Sequence, residues 1–148
     1  MIRVVNSIAI AGEVGQVFDV VTTARYWPQW HPATVGVDGA TEQPMQLGDV
    51  IYERARIGGR VYEGAWSVTE HVRPSRVVLR GPGGRIQITY AFQGNGASTW
   101  FTRELAFQPE DFAGSAADPE AVEALMHRQS EEALRKLKQL VEDRVQGA

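Results

Sequence analysis

The chain has 148 residues and a net charge of −3, with 43% hydrophobic and 22% charged residues. This length predicts one domain over residues 1–148, and the composition is that of a folded protein rather than a disordered or fibrous one. A slightly acidic chain has no overall field to attract nucleic acid, so we expect no nucleic-acid partner. The lack of cysteine excludes disulfides, thiolate metal sites and thiol nucleophiles.

No stretch of the sequence approaches about 18 uninterrupted apolar residues, so we expect no membrane insertion. The first residues also lack a basic region followed by an apolar stretch of signal-peptide length. Together with the missing cysteines, which fit a reducing compartment, these features predict a cytoplasmic protein.

The first predicted elements are a strand, a short helix and an irregular aromatic segment. Apolar and polar residues alternate over residues 2–10, which predicts a half-buried strand that Gly12 interrupts. Residues 13–21 have apolar positions at helical spacing, which predicts a short amphipathic helix. Residues 25–32 (RYWPQWHP) hold two prolines and three aromatics, a composition typical of a tight turn or short helical piece.

A further strand is predicted at residues 34–39, and three hairpin signals follow it. These signals are Gly58-Gly59, the turn at Gly81–Gly84 and Asn95-Gly96, each flanked by strand-like runs. The middle of the chain therefore predicts an antiparallel meander.

The last segment predicts a long helix. Asp118 is suited to the N-cap, Pro119 to the first helical position and Glu120 to the first turn. A helix over residues 118–144 would be roughly 40 Å long at 1.5 Å per residue, enough to cross a small domain.

Treating each hairpin signal as a two-residue loop assigns the strand residues to the two faces of the sheet. The predicted pairs are Ile51–Trp66, Glu53–Gly64 and Ala55–Tyr62, then Val77–Tyr90 and Leu79–Ile88, then Tyr90–Phe101, Ile88–Arg103 and Ile86–Leu105. These positions form a mainly apolar face that we assign to the core. The opposite face looks solvated and carries Arg76, Arg80, Arg85, Gln87, Thr89, Thr102 and Glu104.

The long helix would cover the apolar face with a stripe of residues whose side chains are large at both ends and small or polar in the middle. Its large members are Val122, Met126, Leu137 and Leu140, and its middle contains Gln129, Ser130 and Ala133. Two interpretations are open at this point. The middle of the stripe leaves a cavity between sheet and helix, or it allows close contact between them.

Glu53 and Arg103 share the inward face, although charged side chains are rarely fully buried without a partner. Each therefore needs an opposite charge, a water or a ligand. In one interpretation they pair with each other or reach solvent at the rim of the sheet. In the other they are among the few polar groups of a ligand cavity.

Several local sequences carry a family resemblance. They are Val17–Val21 leading to Tyr26–Pro32, Gly48-Asp49 before a strand, and Trp66–Glu70 followed by Arg73–Arg76. With the order of elements, these segments resemble the START-like helix-grip (SRPBCC) superfamily and its polyketide cyclase/dehydrase-like branch. The resemblance implies an α+β helix-grip fold: a curved antiparallel sheet of about seven strands around a long C-terminal helix, with two short helices after the first strand.

The resemblance also implies a deep cavity between sheet and helix, with Trp27, Trp30 and His31 as candidates for its mouth or wall. The candidate ligand-binding residues are Trp27, Trp30, Tyr62, Trp66, Tyr90, Phe101, Met126, Gln129 and Ser130. No His/carboxylate cluster, nucleophile motif or phosphate-binding loop is present in the sequence, so we expect neither a metal nor a cofactor.

Three hypotheses follow. The first is a protein that takes a lipid-, quinone- or polyketide-like molecule into the cavity. The second is a cofactor-free polyketide cyclase or dehydrase, with Glu53 or His31 as general base and Arg103, Tyr62 or Tyr90 as donors to the enolate oxygen. The third is an interaction module or homodimer that uses Trp100 on the outer face.

Overall fold

The computed structural model describes residues 1–113 and 118–147. In chain order the elements are β1 (Ile2–Ala11), α1 (Val14–Thr22), a 3₁₀ turn (Ala24–Tyr26), α2 (Trp27–Trp30), β2 (Thr34–Gly39), β3 (Val50–Ile57), β4 (Arg60–Val72), β5 (Arg76–Arg80), a 3₁₀ turn (Pro82–Gly84), β6 (Gln87–Asn95), β7 (Ser98–Phe107), α3 (Glu110–Ala113) and α4 (Pro119–Gln146). This is the predicted α+β architecture, with α3 as an element that the sequence analysis did not predict.

The seven strands form one antiparallel sheet in the order β1-β7-β6-β5-β4-β3-β2. Strands β2 to β7 are the predicted meander, while β1 pairs with β7 and helices α1 and α2 carry the chain to β2 at the opposite edge. Irregular pairing at Thr34–Gly36 and at Val68–Glu70 introduces bulges, which bend strands. The result is a curved half-barrel that wraps around α4, so the predicted helix-grip fold is confirmed.

The first two hairpin registers are confirmed. Gly58 and Gly59 have φ values of +59° and +82°, as a two-residue loop with positive φ at both positions requires. At the second hairpin Val77 pairs with Tyr90 as predicted. However, the connection there is longer than two residues, because it contains the 3₁₀ turn Pro82–Gly84.

The predicted register of the third hairpin is wrong by two residues. Asn95 pairs with Ser98, so the two-residue loop consists of positions 96 and 97. Tyr90 therefore lies opposite Arg103 rather than opposite Phe101. Because side chains alternate between faces with a period of two, the shift changes the neighbours but leaves every residue on its predicted face.

The outer face is less solvated than predicted, because Thr89 is only 7% exposed. Its cross-strand neighbours are Val78 and Glu104, in the middle of the sheet. A short side chain at that position is screened from solvent by the longer side chains around it.

Helix α4 starts as predicted, since the Asp118 carboxylate accepts a hydrogen bond from the backbone N–H of Glu120 at 3.1 Å. Its buried stripe includes Val122, Met126 and Leu137, whereas Leu140 is only partly buried. In the part of the chain that the structure describes, no helix is both long enough and apolar enough to cross a membrane.

Candidate functional site

A cavity of about 60 Å³ lies between the concave face of the sheet and α4. Nine of the twelve residues predicted for the site line it: Trp27, Trp30, His31, Glu53, Trp66, Tyr90, Arg103, Met126 and Gln129. At roughly 10–15 Å³ for each water, the cavity has room for only a few waters or one small ring. Its walls are mostly aromatic and aliphatic, with polar groups at a few points.

Both interpretations of the small, polar middle of α4 apply, at different points along the helix. Met126 and Gln129 face the cavity. One turn further on, Ser130 and Ala133 are fully buried, and the Ser130 hydroxyl meets the Arg103 guanidinium. The helix therefore leaves space next to Gln129 and closes onto the sheet from Ser130 onwards.

The carboxylate of Glu53 is held by two donors within the protein. The Thr34 hydroxyl donates to Oε2 at 2.5 Å, and the Trp66 indole N–H donates to Oε1 at 3.0 Å. Among the described residues, no basic side chain approaches Glu53 within the 4.0 Å of an ion pair. Glu53 therefore does not pair with Arg103.

Arg103 is a buried cation whose polar neighbours are neutral. It projects from β7, is 4% exposed, and directs Nη1 to the Ser130 hydroxyl at 3.4 Å. Its Nη2 lies 3.3 Å from Nε2 of His31, and its Nε has no hydrogen-bond partner within residues 1–113 and 118–147. The described part of the chain brings no carboxylate within 4.0 Å of it.

His31 is neutral at pH 7, because burial holds its pKa well below 6.5 and the positive charges of Arg103 and Lys136 act in the same direction. Both ring nitrogens face donors: Nδ1 accepts from the Ala33 backbone N–H at 3.2 Å, and Nε2 faces Arg103. A neutral imidazole has one acceptor nitrogen, so it satisfies one of these donors and not both.

Tyr90 is 2% exposed and lies across the strand pair from Arg103. Burial raises the pKa of Tyr90 to about 12; the Glu53 charge also raises it, and Arg103 opposes the shift. The phenol is therefore a neutral hydrogen-bond donor at pH 7. Two further buried atoms of cavity-lining residues, Nε1 of Trp30 and Oε1 of Gln129, lack a partner among the described residues.

Three residues predicted for the site do not line the cavity. Phe101 is fully buried in the core, with its ring 5.1 Å from that of Phe92. Tyr62 packs against Phe112 at 6.0 Å, and Ser130 lies behind Arg103. Phe101 and Tyr62 do lie on the predicted inward face of the sheet. That face contains both cavity-lining side chains and side chains packed in the core, so the face alone does not identify the cavity residues.

Trp27 and Trp30, candidates for the mouth or the wall, are 4% and 1% exposed and form part of the wall. A second cavity of about 60 Å³, near the tip of the β3–β4 hairpin, shares Ile57, Phe112 and Met126 with the first. These three side chains separate the two spaces.

Thr34 and Phe112 also line the cavity, although neither was predicted from the sequence. Thr34 was assigned to a strand, but its position beside a bulge, where it reaches Glu53, has no local sequence signal. Phe112 belongs to α3, and the Pro109-Glu110 pair before it is a helix-start signal that would have indicated this turn.

Within the described residues, no group of three or more His, Asp or Glu side chains is arranged to hold a metal ion. Among the described residues, the ionisable groups that line the cavity are one carboxylate, one imidazole, one guanidinium and one phenol, and the Thr34 hydroxyl and the Gln129 amide lie beside them. These groups suit proton transfer and the binding of an oxygen-bearing ligand.

Comparison with solved structures finds the same fold in several proteins. The Zhui aromatase/cyclase from Streptomyces sp. R1128 has a TM-score of 0.77 and 17% identity, covering 97% of this chain and 95% of that one. A START superfamily protein from Mycobacterium smegmatis has a TM-score of 0.73 and 16% identity, covering 95% and 97%. The Aha1 dimer from Colwellia psychrerythraea has a TM-score of 0.66 and 17% identity, covering 96% and 97%.

At these identities the likeness concerns the fold alone. Comparison with curated protein sequences gives no match. The family described as polyketide cyclase / dehydrase and lipid transport, in contrast, matches residues 1–142. This match covers nearly the whole sequence, and it shows that the chain belongs to the polyketide cyclase/dehydrase and lipid transport family.

Proposed function

We propose that this protein binds a hydrophobic or aromatic small molecule of the lipid, quinone or polyketide type in the cavity between the sheet and α4. The observation that carries this proposal is the cavity itself, which has aromatic walls and a few polar groups without a hydrogen-bond partner among the described residues. Small-molecule sites usually combine an apolar concave surface with a few such groups. The family match supports the same class of ligand.

The size of the cavity limits what enters without rearrangement. At about 60 Å³ it is well below the roughly 300–1,000 Å³ of ordinary ligand pockets. A longer ligand requires Ile57, Phe112 and Met126 to move apart, which would join this cavity to the neighbouring one. We therefore expect flat ring systems to bind more readily than full-length lipids.

A cavity-filling variant tests this proposal. Ala55 is 7% exposed and lines the cavity, so Ala55→Leu places three extra carbons inside it. Ala65 faces outward opposite Tyr52, so Ala65→Leu is the matched control. We expect toluene, a single-ring probe, to bind the wild-type protein and the control in a calorimetric titration, and to lose most of its affinity for Ala55→Leu. Equal binding by both variants would show that the probe binds elsewhere.

Native mass spectrometry of the protein purified from its host examines the same proposal without a chosen probe. We expect an apolar molecule to remain bound under mild ionisation and to be lost from Ala55→Leu. A wild-type protein that carries no such molecule and binds no apolar probe would contradict the proposal.

Enzymatic cyclisation or dehydration of a poly-β-keto substrate is the second candidate function. It is favoured by the family match and by the presence of Glu53, His31, Tyr90 and Arg103 on one cavity. Glu53 would remove the acidic α-proton, and Arg103 or Tyr90 would stabilise the resulting enolate oxygen. If turnover of a model polyketide is unaffected in Glu53→Gln, then Glu53 is not the base.

An interaction role for the outer face rests on Trp100, which is 50% exposed opposite Ala9. A homodimer through this face would bury the indole, and the Aha1 protein from Colwellia psychrerythraea is itself described as a dimer. We expect sedimentation velocity to show a dimer that Trp100→Ala weakens. A wild-type protein that sediments as a monomer at high concentration would remove this candidate.

A further inference from the structure

The geometry around Arg103 points to a more specific ligand: an apolar molecule that carries a single anionic oxygen group of the carboxylate type. This inference rests on the proposed binding function and concerns the same cavity. It is carried by the buried guanidinium, which lines the cavity without a counter-charge from the described residues.

The protein supplies Arg103 with neutral contacts. Among the described residues its side-chain partners are the Ser130 hydroxyl at 3.4 Å, the His31 ring at 3.3 Å and the phenol of Tyr90, and all three are neutral. His31 cannot neutralise the charge, since an imidazole is either neutral or positive. A buried cation normally pairs with an acceptor of opposite charge, because burying an isolated charge costs much more than burying a neutral polar group. An anionic ligand oxygen would be that acceptor.

The remaining donors of Arg103 suit a carboxylate. Nε has no partner among the described residues, and together with a neighbouring N–H of the guanidinium it forms a planar two-donor edge. Planar guanidinium edges bind carboxylates through two parallel hydrogen bonds, which are stronger than bonds between neutral groups. A neutral ketone or ester offers one acceptor at a time and no charge.

Glu53 restricts the ligand to one anionic group. Its carboxylate lines the same cavity, and the hydroxyl of Thr34 and the indole of Trp66 hold it in place. A second anion beside Glu53 would meet a like charge in a poorly solvated space, which is unfavourable. The ligand portion that reaches Glu53 is therefore neutral, and a hydroxyl donor there fits best.

A matched pair of single-ring probes tests the inference: benzoate and its neutral isostere benzamide, titrated into the full-length protein at pH 7 by calorimetry. We expect benzoate to bind about 10- to 100-fold more tightly. Arg103→Met should reduce this ratio to near one while benzamide affinity stays within about threefold. Arg103→Lys should keep part of the preference, because it keeps the charge but not the planar edge.

Arg54→Met is the control, since Arg54 is exposed on the outer face and pairs with Glu63. It should leave the ratio at the wild-type value. Equal wild-type affinity for the two probes would overturn the inference and leave the proposed binding function intact. If neither probe binds, the proposed function fails together with the inference. Should Arg103→Met not fold, the wild-type ratio and Arg103→Lys still decide the question.

Discussion

Gly81 controls the position of Trp66, and so of the indole that donates to Glu53. A Cβ atom added at Gly81 would lie 2.7 Å from Cζ3 of Trp66 and 3.0 Å from both Cε3 and Cη2. The backbone of Gly81 is not in the left-handed region, with φ of −96°, so Gly81→Ala is strained by this contact alone. Because Trp66 is 7% exposed and packed in the core, its ring has little room to move away.

The expected cost follows from three contributions. Overpacking a filled core costs about 1–3 kcal/mol. Displacing the indole also weakens its 3.0 Å hydrogen bond to Glu53, and a bond to a charged group contributes about 1.5–3 kcal/mol. Replacing glycine restricts the unfolded chain and returns about 0.4–1 kcal/mol. We expect a net loss of about 3 kcal/mol, which lowers the Tm of a chain of this size by about 6–12 °C.

Urea unfolding at pH 7, followed by tryptophan fluorescence and by far-ultraviolet circular dichroism, measures this loss. Gly36→Ala is the matched control, since a Cβ there meets nothing within 4 Å, and it should change stability by less than about 0.5 kcal/mol. In a Trp66→Leu background the cost of Gly81→Ala should largely disappear, because the two positions are coupled through contact. An additive double mutant, or a Gly81→Ala protein as stable as wild type, would refute the proposed contact.

Two other predictions concern pH and the start of α4. Burial, and to a smaller extent the charge of Arg103, keeps the pKa of His31 in the folded protein well below its unfolded value of about 6.5. The free energy of unfolding is therefore unaffected by this group above pH 6.5 and decreases as the pH falls below it. Between pH 7 and 5.5 the wild type should lose about 1 kcal/mol more than His31→Gln, as measured by urea unfolding, and parallel profiles would contradict this. Asp118→Ala removes the side-chain acceptor for the Glu120 N–H and should lower the free energy of unfolding by about 1 kcal/mol. Calorimetry should then show a Tm lower by about 2–4 °C, and an unchanged Tm would mean that this cap does not form in solution.

Much of the fold was predictable because its main determinants are local. Alternating apolar residues identified the strands, and glycine-containing loops located the hairpins. The error in the third hairpin arose because Asn95-Gly96 is a favourable loop pair, whereas the chain places Gly96 first in the loop and keeps Asn95 paired with Ser98. That shift of two residues preserved the faces, so the inward positions of Glu53 and Arg103 were still correct.

The composition of the cavity was less predictable because it depends on contacts between distant segments. Phe101 and Tyr90 occupy the same face, yet Phe101 is sealed in the core while Tyr90 lines the cavity. The curvature that separates the two environments depends on bulges, such as the one beside Thr34, that no local pattern indicated. Phe112 joins the cavity through α3, which is too short for periodicity to reveal it.

The positions of the two inward charges indicate why the middle of α4 is small and polar. Arg103 needs a neutral acceptor on the helix, which Ser130 supplies, and Ala133 on the next turn is fully buried with a minimal side chain. A leucine at position 130 would fill that place with a bulky apolar group and remove the acceptor on the helix, so a further buried N–H of the guanidinium would lose its partner. The polar centre of the helix and the cation on β7 are therefore one arrangement. Glu53, fixed by its own two donors, remains apart from it on the same cavity.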